Sequence, residues 1–323
     1  MGFYGDLSKY YERIFPVEEP TVRFLAEQAG PPPARILDVA CGDAGYALAL
    51  ARMGYDVTAT DLDADMVAKA AANEARIAIR DTASNTAGNT TSNTASNTTS
   101  DTTGDTSGNT ASDTTSDTTG KGDYREACST GQIRIFQADM LETRAALPSG
   151  ETFSLVSCIG NSLVHLTDEN QVLAFLTDAW KMLSTGSGSG NINNSDIDSG
   201  ASGSNGSSGR TGNGTLVLQI MNYDKILKED IRSLPSHVDN EMDLVFERRY
   251  RPIPGDNGHI LFETTLKAEG HTWENAVRLI PLRHETLCML LRDAGFADIR
   301  LYSDFEGAPY KADDSWMTVI AAR

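Results

Sequence analysis

Residues 81–120 are ten consecutive tetrapeptides of the form Asp/Asn-Thr-(Ala/Thr/Ser)-(Ser/Gly), running from Asp81 to Gly120. They carry no large apolar side chain. A second stretch, 186–213, is almost entirely Gly, Ser and Asn. Neither can bury enough apolar surface to offset the entropy of ordering it, so both are expected to be disordered inserts. A repetitive β-solenoid would need a periodic apolar residue, and the first tract offers only Thr methyls. Of 323 residues, about 255 are left to build a core. That suits one α/β domain spanning 1–323 and interrupted twice, rather than two independent domains. Loop-closure entropy grows only logarithmically, so a fold tolerates such insertions.

Outside the tracts the chain alternates strand and helix. Arg35–Ala40 is a short apolar run ending in a glycine turn. Gly45–Met53 reads as a helix, Asp56–Thr60 as a strand, Ala64–Arg76 as a helix, and Ile133–Gln137 as the next strand. Phe153–Cys158, the amphipathic helix Glu169–Ser184 and the apolar strand Thr215–Met221 continue the pattern. Such alternation predicts right-handed βαβ units and a doubly wound parallel sheet of the Rossmann-like kind. Then the period changes. Met242–Tyr250, His259–Ala268 and His271–Ile280 read as three successive strands, an antiparallel insert over 242–280. A helix, His284–Ala294, and two strands, Ile299–Tyr302 and Trp316–Ala321, close the chain, which predicts an antiparallel hairpin at one sheet edge. Both tracts join a helix to the following strand, at the edge opposite the strand carboxyl ends where ligands bind in such sheets.

Charge and composition narrow the function. The formal charge of −18 becomes −12 when the tracts are set aside, so the folding part is itself acidic. No basic stripe for nucleic acid is visible. No run of about 18 apolar residues could span a membrane, and Met1–Asp6 lacks the basic and apolar regions of a signal peptide. Cys41, Cys128, Cys158 and Cys288 show no metal or redox spacing, so no metal site is expected and free thiols in a reducing cytoplasm are.

The chemistry concentrates at Ile36-Leu37-Asp38-Val39-Ala40-Cys41-Gly42-Asp43-Ala44-Gly45. A strand enters a glycine turn and then a helix. Gly42 lets the backbone approach a ligand, and the helix start offers free N–H groups. Nineteen residues after Gly42, at the end of the second strand, stands Asp61, placed to accept both hydroxyls of a ribose. Together they predict a nucleoside-binding crevice. The dinucleotide fingerprint G-x-G-x-x-G is incomplete, which disfavours a nicotinamide oxidoreductase.

The Asp-Val-Ala-Cys-Gly form of this turn resembles motif I of class I S-adenosylmethionine-dependent methyltransferases. Thr60-Asp61-Leu62-Asp63 is similar to the ribose-binding end of that family, and Gln137-Ala138-Asp139-Met140 to its adenine-binding turn. Cys158-Ile159-Gly160-Asn161-Ser162-Leu163-Val164-His165-Leu166 and Asn222-Tyr223-Asp224-Lys225-Ile226-Leu227 resemble segments of the glycine/sarcosine N-methyltransferase group. So does Tyr10-Tyr11-Glu12-Arg13-Ile14-Phe15, which in such proteins helps cover the cofactor. The resemblance implies S-adenosyl-L-methionine as cofactor, held by Tyr11, Asp38, Ala40, Cys41, Gly42, Asp61, Leu62, Met66, Asp139, Met140, Cys158 and Ile159. It implies catalytic positions at Asn161 and His165. Tyr4, Asn161, Tyr223, Trp273 and Arg283 are the candidates for contact with a small-molecule acceptor. In the glycine enzymes an Arg precedes Asn-Tyr-Asp and clamps the substrate carboxylate; here that position is Met221, and a thioether cannot replace a bidentate guanidinium. An acceptor other than glycine is expected.

Each candidate has a plainer reading. Asp61 could cap the following helix, Asp38 could hold the amides of its own turn, and Cys41 and Cys158 could be packed residues at strand ends. Asn161 could cap the turn that follows it, His165 could be structural, and Trp273 a cross-strand packing residue. The expected reaction is direct displacement of a sulfonium methyl by a small-molecule amine, with the insert as lid. The alternatives are an O-methyltransferase with His165 as base and a non-catalytic nucleoside-binding module. Neither a nucleic-acid nor a membrane partner is expected; a homo-oligomer is compatible with the sequence.

Overall fold

A computed structural model describes residues 3–91, 131–186, 213–256 and 258–323. Three helices precede the first strand: α1 (Phe3–Leu7), α2 (Tyr11–Ile14) and α3 (Glu19–Ala29). Proline in the first turn of α3 sits where its missing N–H costs nothing, and Gly30 (φ 85°) ends the helix. Then come β1 (Arg35–Val39), α4 (Gly45–Arg52), β2 (Asp56–Asp61), α5 (Ala64–Thr91), β3 (Ile133–Gln137), α6 (Thr143–Ala146), β4 (Leu155–Cys158), α7 (Glu169–Met182), β5 (Thr215–Met221) and α8 (Tyr223–Lys228). Four strands follow without an intervening helix: β6 (Ser233–Asp239), β7 (Leu244–Pro252), β8 (Ile260–Ala268) and β9 (His271–Leu279). The chain closes with α9 (His284–Asp293), β10 (Asp298–Tyr302) and β11 (Trp316–Ala322).

The main sheet has seven strands in the order β10-β11-β5-β4-β1-β2-β3. Strands β1 to β5 pair in parallel, and β11 runs antiparallel to both its neighbours, β5 and β10. The winding direction reverses between β1 and β4, and their carboxyl ends open a crevice there. The central strands are apolar on both faces because helices cover both. Leu37, Val39, Val156, Leu216 and Leu218 pack toward α7 and α9, onto Val172, Phe175, Leu176, Leu287 and Leu291. The alternate residues Ile36, Leu155 and Val217 pack the other way, against Phe24, Leu25, Ala47 and Leu50 of α3 and α4. Each such fully buried aliphatic side chain contributes about 1.5–3 kcal/mol.

The second sheet has the order β6-β7-β8-β9 and is antiparallel throughout. Sequence patterning gives three strands from Met242; the structure adds a fourth, β6, beginning at Ser233. It contains Pro235, and its pairing register slips between Leu234 and His237. Proline and a bulge are what an edge strand tolerates, and they erase the period-2 pattern that would have revealed it. A third apolar cluster joins this sheet to the amino terminus: Leu7, Tyr10, Ile14 and Met66 against Leu244, Phe246, Leu266 and Ala268. The second sheet and the first helices thus meet above the crevice.

The backbone of 81–91 continues α5 into the first tract, so the expected disorder does not begin at Asp81. Extending an existing helix needs no new nucleus, which lets mediocre helix formers follow a strong one. The rest of that tract, and 187–212 of the second, lie outside the described residues. The junctions themselves are bonded. Gly131 N–H donates to Ala51 O at 2.9 Å, just before β3. The Gly186 amide donates to Asn213 Oδ1 at 2.8 Å, closing the base of the second tract. Both junctions precede strand amino ends, away from the crevice.

Candidate active site

The turn after β1 is wound through the left-handed region at three of five residues: Ala40 (φ 56°), Gly42 (φ 59°) and Ala44 (φ 61°). Two of these are not glycine, and such backbone persists only where the surroundings hold it, which is a mark of functional loops. Asp61 supplies the hold. Its Oδ2 accepts from the Gly42 amide at 2.8 Å and its Oδ1 from the Asp63 amide at 2.9 Å. The carboxylate thereby ties the β1 turn to the β2 turn, and burial raises its pKa. Gly42 has a second reason to lack a side chain, since a Cβ would lie 2.8 Å from the Tyr11 hydroxyl. The loop after β4 repeats the pattern, with Gly160 (φ 77°) and Asn161 (φ 72°) both left-handed.

These loops form the floor of a cavity of about 380 Å³. Ten of the residues expected from sequence line it. Ala40, Gly42, Asp61, Leu62, Met66 and Met140 come from the ends of β1, β2 and β3 and the helix after β2; Asn161 and His165 follow β4; Tyr4 and Tyr11 close one side. Phe3, Leu7 and Phe15 extend that side. Met221, where the glycine enzymes have a cation, also faces the cavity. The opposite wall was only partly foreseen: it is the second sheet, through Phe246, Arg248, Tyr250, Phe262, Thr264 and Asn275. The sequence predicts a lid there but singles out none of these residues. The available signal was the alternation Phe246, Arg248, Tyr250, which puts all three on one face of β7.

Eight expected residues lie elsewhere. Asp38 is buried beneath the turn, where its Oδ1 accepts from the Ser157 hydroxyl at 2.8 Å and not from the turn's amides. Burial, with Asp61 nearby, pushes its carboxyl up to about 7. Cys41 stays beside the turn, its thiol 3.7 Å from Gly42 O, and Cys158 is fully buried in the core. Burial drives both thiols well above the usual range, so neither is a ready nucleophile. Asp139 accepts from the Leu141 amide at 2.9 Å and shapes its own turn, leaving Met140 to face the cavity. Ile159 packs against the second apolar cluster. Tyr223 is fully buried and does not line the cavity; it touches two residues that do, Asn161 through a hydrogen bond and Tyr250 through an edge-on ring contact with centroids 6.4 Å apart. Trp273 packs on Tyr10 and His271, ring centroids 6.3 and 5.6 Å away. Arg283 donates from Nε to Asp224 Oδ1 at 2.7 Å, an ion pair that Asp224 shares with His284.

The two catalytic candidates differ. The Asn161 carboxamide is engaged at both ends: Nδ2 lies 3.1 Å from the Tyr223 hydroxyl, and Oδ1 accepts from the Met221 amide at 2.9 Å. It pins the β4 loop to the end of β5, so it acts first as a positioning residue. His165 ends a short 3₁₀ turn, Leu163–His165, and its exposed ring opens on the cavity. Desolvation by the protein around the cavity mouth lowers its pKa, which favours the neutral imidazole. Among the described residues no carboxylate pairs with it. Among the described residues no group of three or more His, Cys, Asp or Glu side chains is placed to hold a metal ion, and no helix is long and apolar enough to cross a membrane.

Comparison with known proteins bears on the fold. Residues 36–98 match the family model described as a methyltransferase domain. No curated protein sequence matches the chain. Among solved structures, the chain is similar to an S-adenosylmethionine-dependent methyltransferase from Clostridium acetobutylicum, with TM-score 0.60, 11% identity and 99% of each chain covered. It is also similar to the CcbJ methyltransferase from Streptomyces caelestis, with TM-score 0.59, 14% identity, and 98% of this chain and 96% of that one covered. A third is the sugar N-methyltransferase KedS8 from a Streptoalloteichus species, with TM-score 0.51, 14% identity, and 100% of this chain and 93% of that one covered. The fold is that of S-adenosylmethionine-dependent methyltransferases, and the matched domain holds the β1 turn and Asp61.

Proposed function

We propose that this chain is an S-adenosylmethionine-dependent methyltransferase whose acceptor is an amine on a small molecule. One observation carries the cofactor half: Asp61 and Gly42, read from sequence as a nucleoside pair, are joined at 2.8 Å on the floor of the cavity at the switch point. The residues present suit the cofactor. Asp61 has lone pairs left after accepting two amides. Leu62, Met66 and Met140 offer apolar surface for a flat base, and the Gly42 backbone is bare. Bound there, S-adenosylmethionine supplies a sulfonium methyl that is already a good electrophile.

The protein's own task is alignment and exclusion of water. Tyr4, Tyr11 and Phe15 close the amino-terminal side, and the second sheet closes the other. A neutral amine needs no strong base. His165, with no carboxylate to orient it among the described residues, suits that better than it suits a hydroxyl acceptor, which would need an oriented base. The sugar N-methyltransferase KedS8, of like fold, is named as acting on nitrogen, which lends support of the same kind. Turnover of methyl-labelled S-adenosylmethionine with a panel of matched amines and alcohols tests the reading. Methylation of amines, surviving in His165→Ala, supports it. Methylation confined to alcohols and lost in His165→Ala replaces it with O-transfer.

A further inference from the structure

The cavity is chemically lopsided. Its floor, where the β1 and β2 turns meet, carries Asp61 and Asp63. The second sheet, opposite, carries Arg248, the one lysine or arginine in the lining among the described residues. Strand register sets its neighbours. Leu234 of β6 pairs with Arg248 of β7, Arg248 with Thr264 of β8, and Thr264 with Asn275 of β9. Arg248, Thr264 and Asn275 therefore form one polar row across three strands. The next row, Tyr250, Phe262 and Val277, also lines the cavity and is largely apolar.

The polar row is left with unused capacity. The Thr264 hydroxyl is buried and has no hydrogen-bond partner among the described residues; the same holds for Arg248 Nε. The guanidinium donates once, from an Nη to Pro235 O at 2.9 Å, and rests on the Phe246 ring at 5.7 Å. No carboxylate pairs with it among the described residues. A buried guanidinium N–H and a buried hydroxyl that both lack partners are costly unless a ligand completes them.

We propose that the row Arg248, Thr264 and Asn275 is the acceptor subsite, and that it selects acceptors bearing a carboxylate beside an apolar body. Three donors on one face match the two oxygens of that anion, while Phe246, Phe262 and Val277 take the apolar part. The cation that Met221 cannot supply then comes from a different element of the fold. This rests on the function proposed above, and the test separates the two.

Isothermal titration of the protein saturated with S-adenosylhomocysteine reads the subsite with matched probes: benzoate, 3-phenylpropionate and 4-aminobenzoate against their primary amides. The carboxylates are expected to bind at least tenfold more tightly than the amides. Arg248→Gln should bring that ratio close to one with the S-adenosylhomocysteine Kd within twofold, and Arg248→Lys should keep part of the preference. Thr264→Val should weaken carboxylate binding severalfold, and it supplies the test if Arg248→Gln does not fold. Equal binding of carboxylates and amides, no carboxylate binding, or a preference that survives Arg248→Gln would overturn the proposal. If S-adenosylhomocysteine itself fails to bind, the cofactor reading falls instead, and the same probes without it still read the subsite.

Discussion

Replacing Asp61 by Ala separates what this carboxylate does for the fold from what it does for a ligand. In the protein alone it accepts the Gly42 amide at 2.8 Å and the Asp63 amide at 2.9 Å. Leaving a partly buried N–H unsatisfied costs about 1–3 kcal/mol, so the variant should lose stability of that order. Both bonds can persist with cofactor bound, so they largely cancel in the affinity. The ribose hydroxyls do not cancel: losing their acceptor costs about 1–3 kcal/mol of binding, a weakening of roughly 5- to 150-fold. Calorimetric titration with S-adenosylhomocysteine reads the affinity and thermal unfolding reads the stability. Asp61→Asn keeps the shape but turns one acceptor into a donor, so it should fall between. If Asp61→Ala melts earlier but binds S-adenosylhomocysteine with a Kd within twofold of the parent, the carboxylate is only a loop brace and the ribose role is refuted.

Asp38 gives a pH test. Its folded pKa, about 7, lies above the unfolded value, so the folded state holds the extra proton. Its contribution is present at low pH and is lost as pH rises from about 4 to 7. Asp38→Asn should therefore gain about 1–3 kcal/mol relative to the parent on going from pH 5 to pH 8 in denaturant titrations; an equal difference at both pH values contradicts it. Gly42→Ala should cost about 1 kcal/mol or more for a left-handed side chain and, by pushing on Tyr11, should abolish measurable S-adenosylhomocysteine binding. Tyr223→Phe should destabilise by about 1 kcal/mol through the lost Asn161 bond and lower kcat more than it raises the KM for the cofactor. Removing 190–210 should change stability by less than about 1 kcal/mol, because the Gly186–Asn213 bond already closes that connection; a larger loss in thermal unfolding would show the tract to be structural.

The legible parts of this protein were those written in local pattern. β3 and β5 coincide with their sequence boundaries because each is a short run with abrupt ends. The Gly42–Asp61 pair is legible because Gly42 lies in the turn just after β1 and Asp61 ends the adjacent β2 of the same βαβ unit, where spacing along the chain nearly fixes spacing in space. Strand β6 was not legible, since Pro235 and a bulge break its alternation. The strand–helix alternation that begins at β1 does not reach back to helix α3, although Pro20 in its first turn and Gly30 at its end mark both boundaries. The acceptor wall was the least accessible part. Arg248, Thr264 and Asn275 lie 16 and 11 residues apart in the sequence, and only the register of β7, β8 and β9 puts them side by side. Asp38, Cys158 and Tyr223 border motifs of the site but point into the core, a distinction set for the first two by strand alternation at the last residue or two and for Tyr223 by the start of α8.

The most direct measurement is a crystal structure with S-adenosylhomocysteine bound. The account predicts the ribose hydroxyls on the Asp61 carboxylate, the base beside Leu62 and Met140, and the sulfur directed toward the cavity between His165 and the Arg248 wall. A nucleoside bound elsewhere, or a Gly42 turn without ligand at concentrations that saturate the protein in solution, would contradict it.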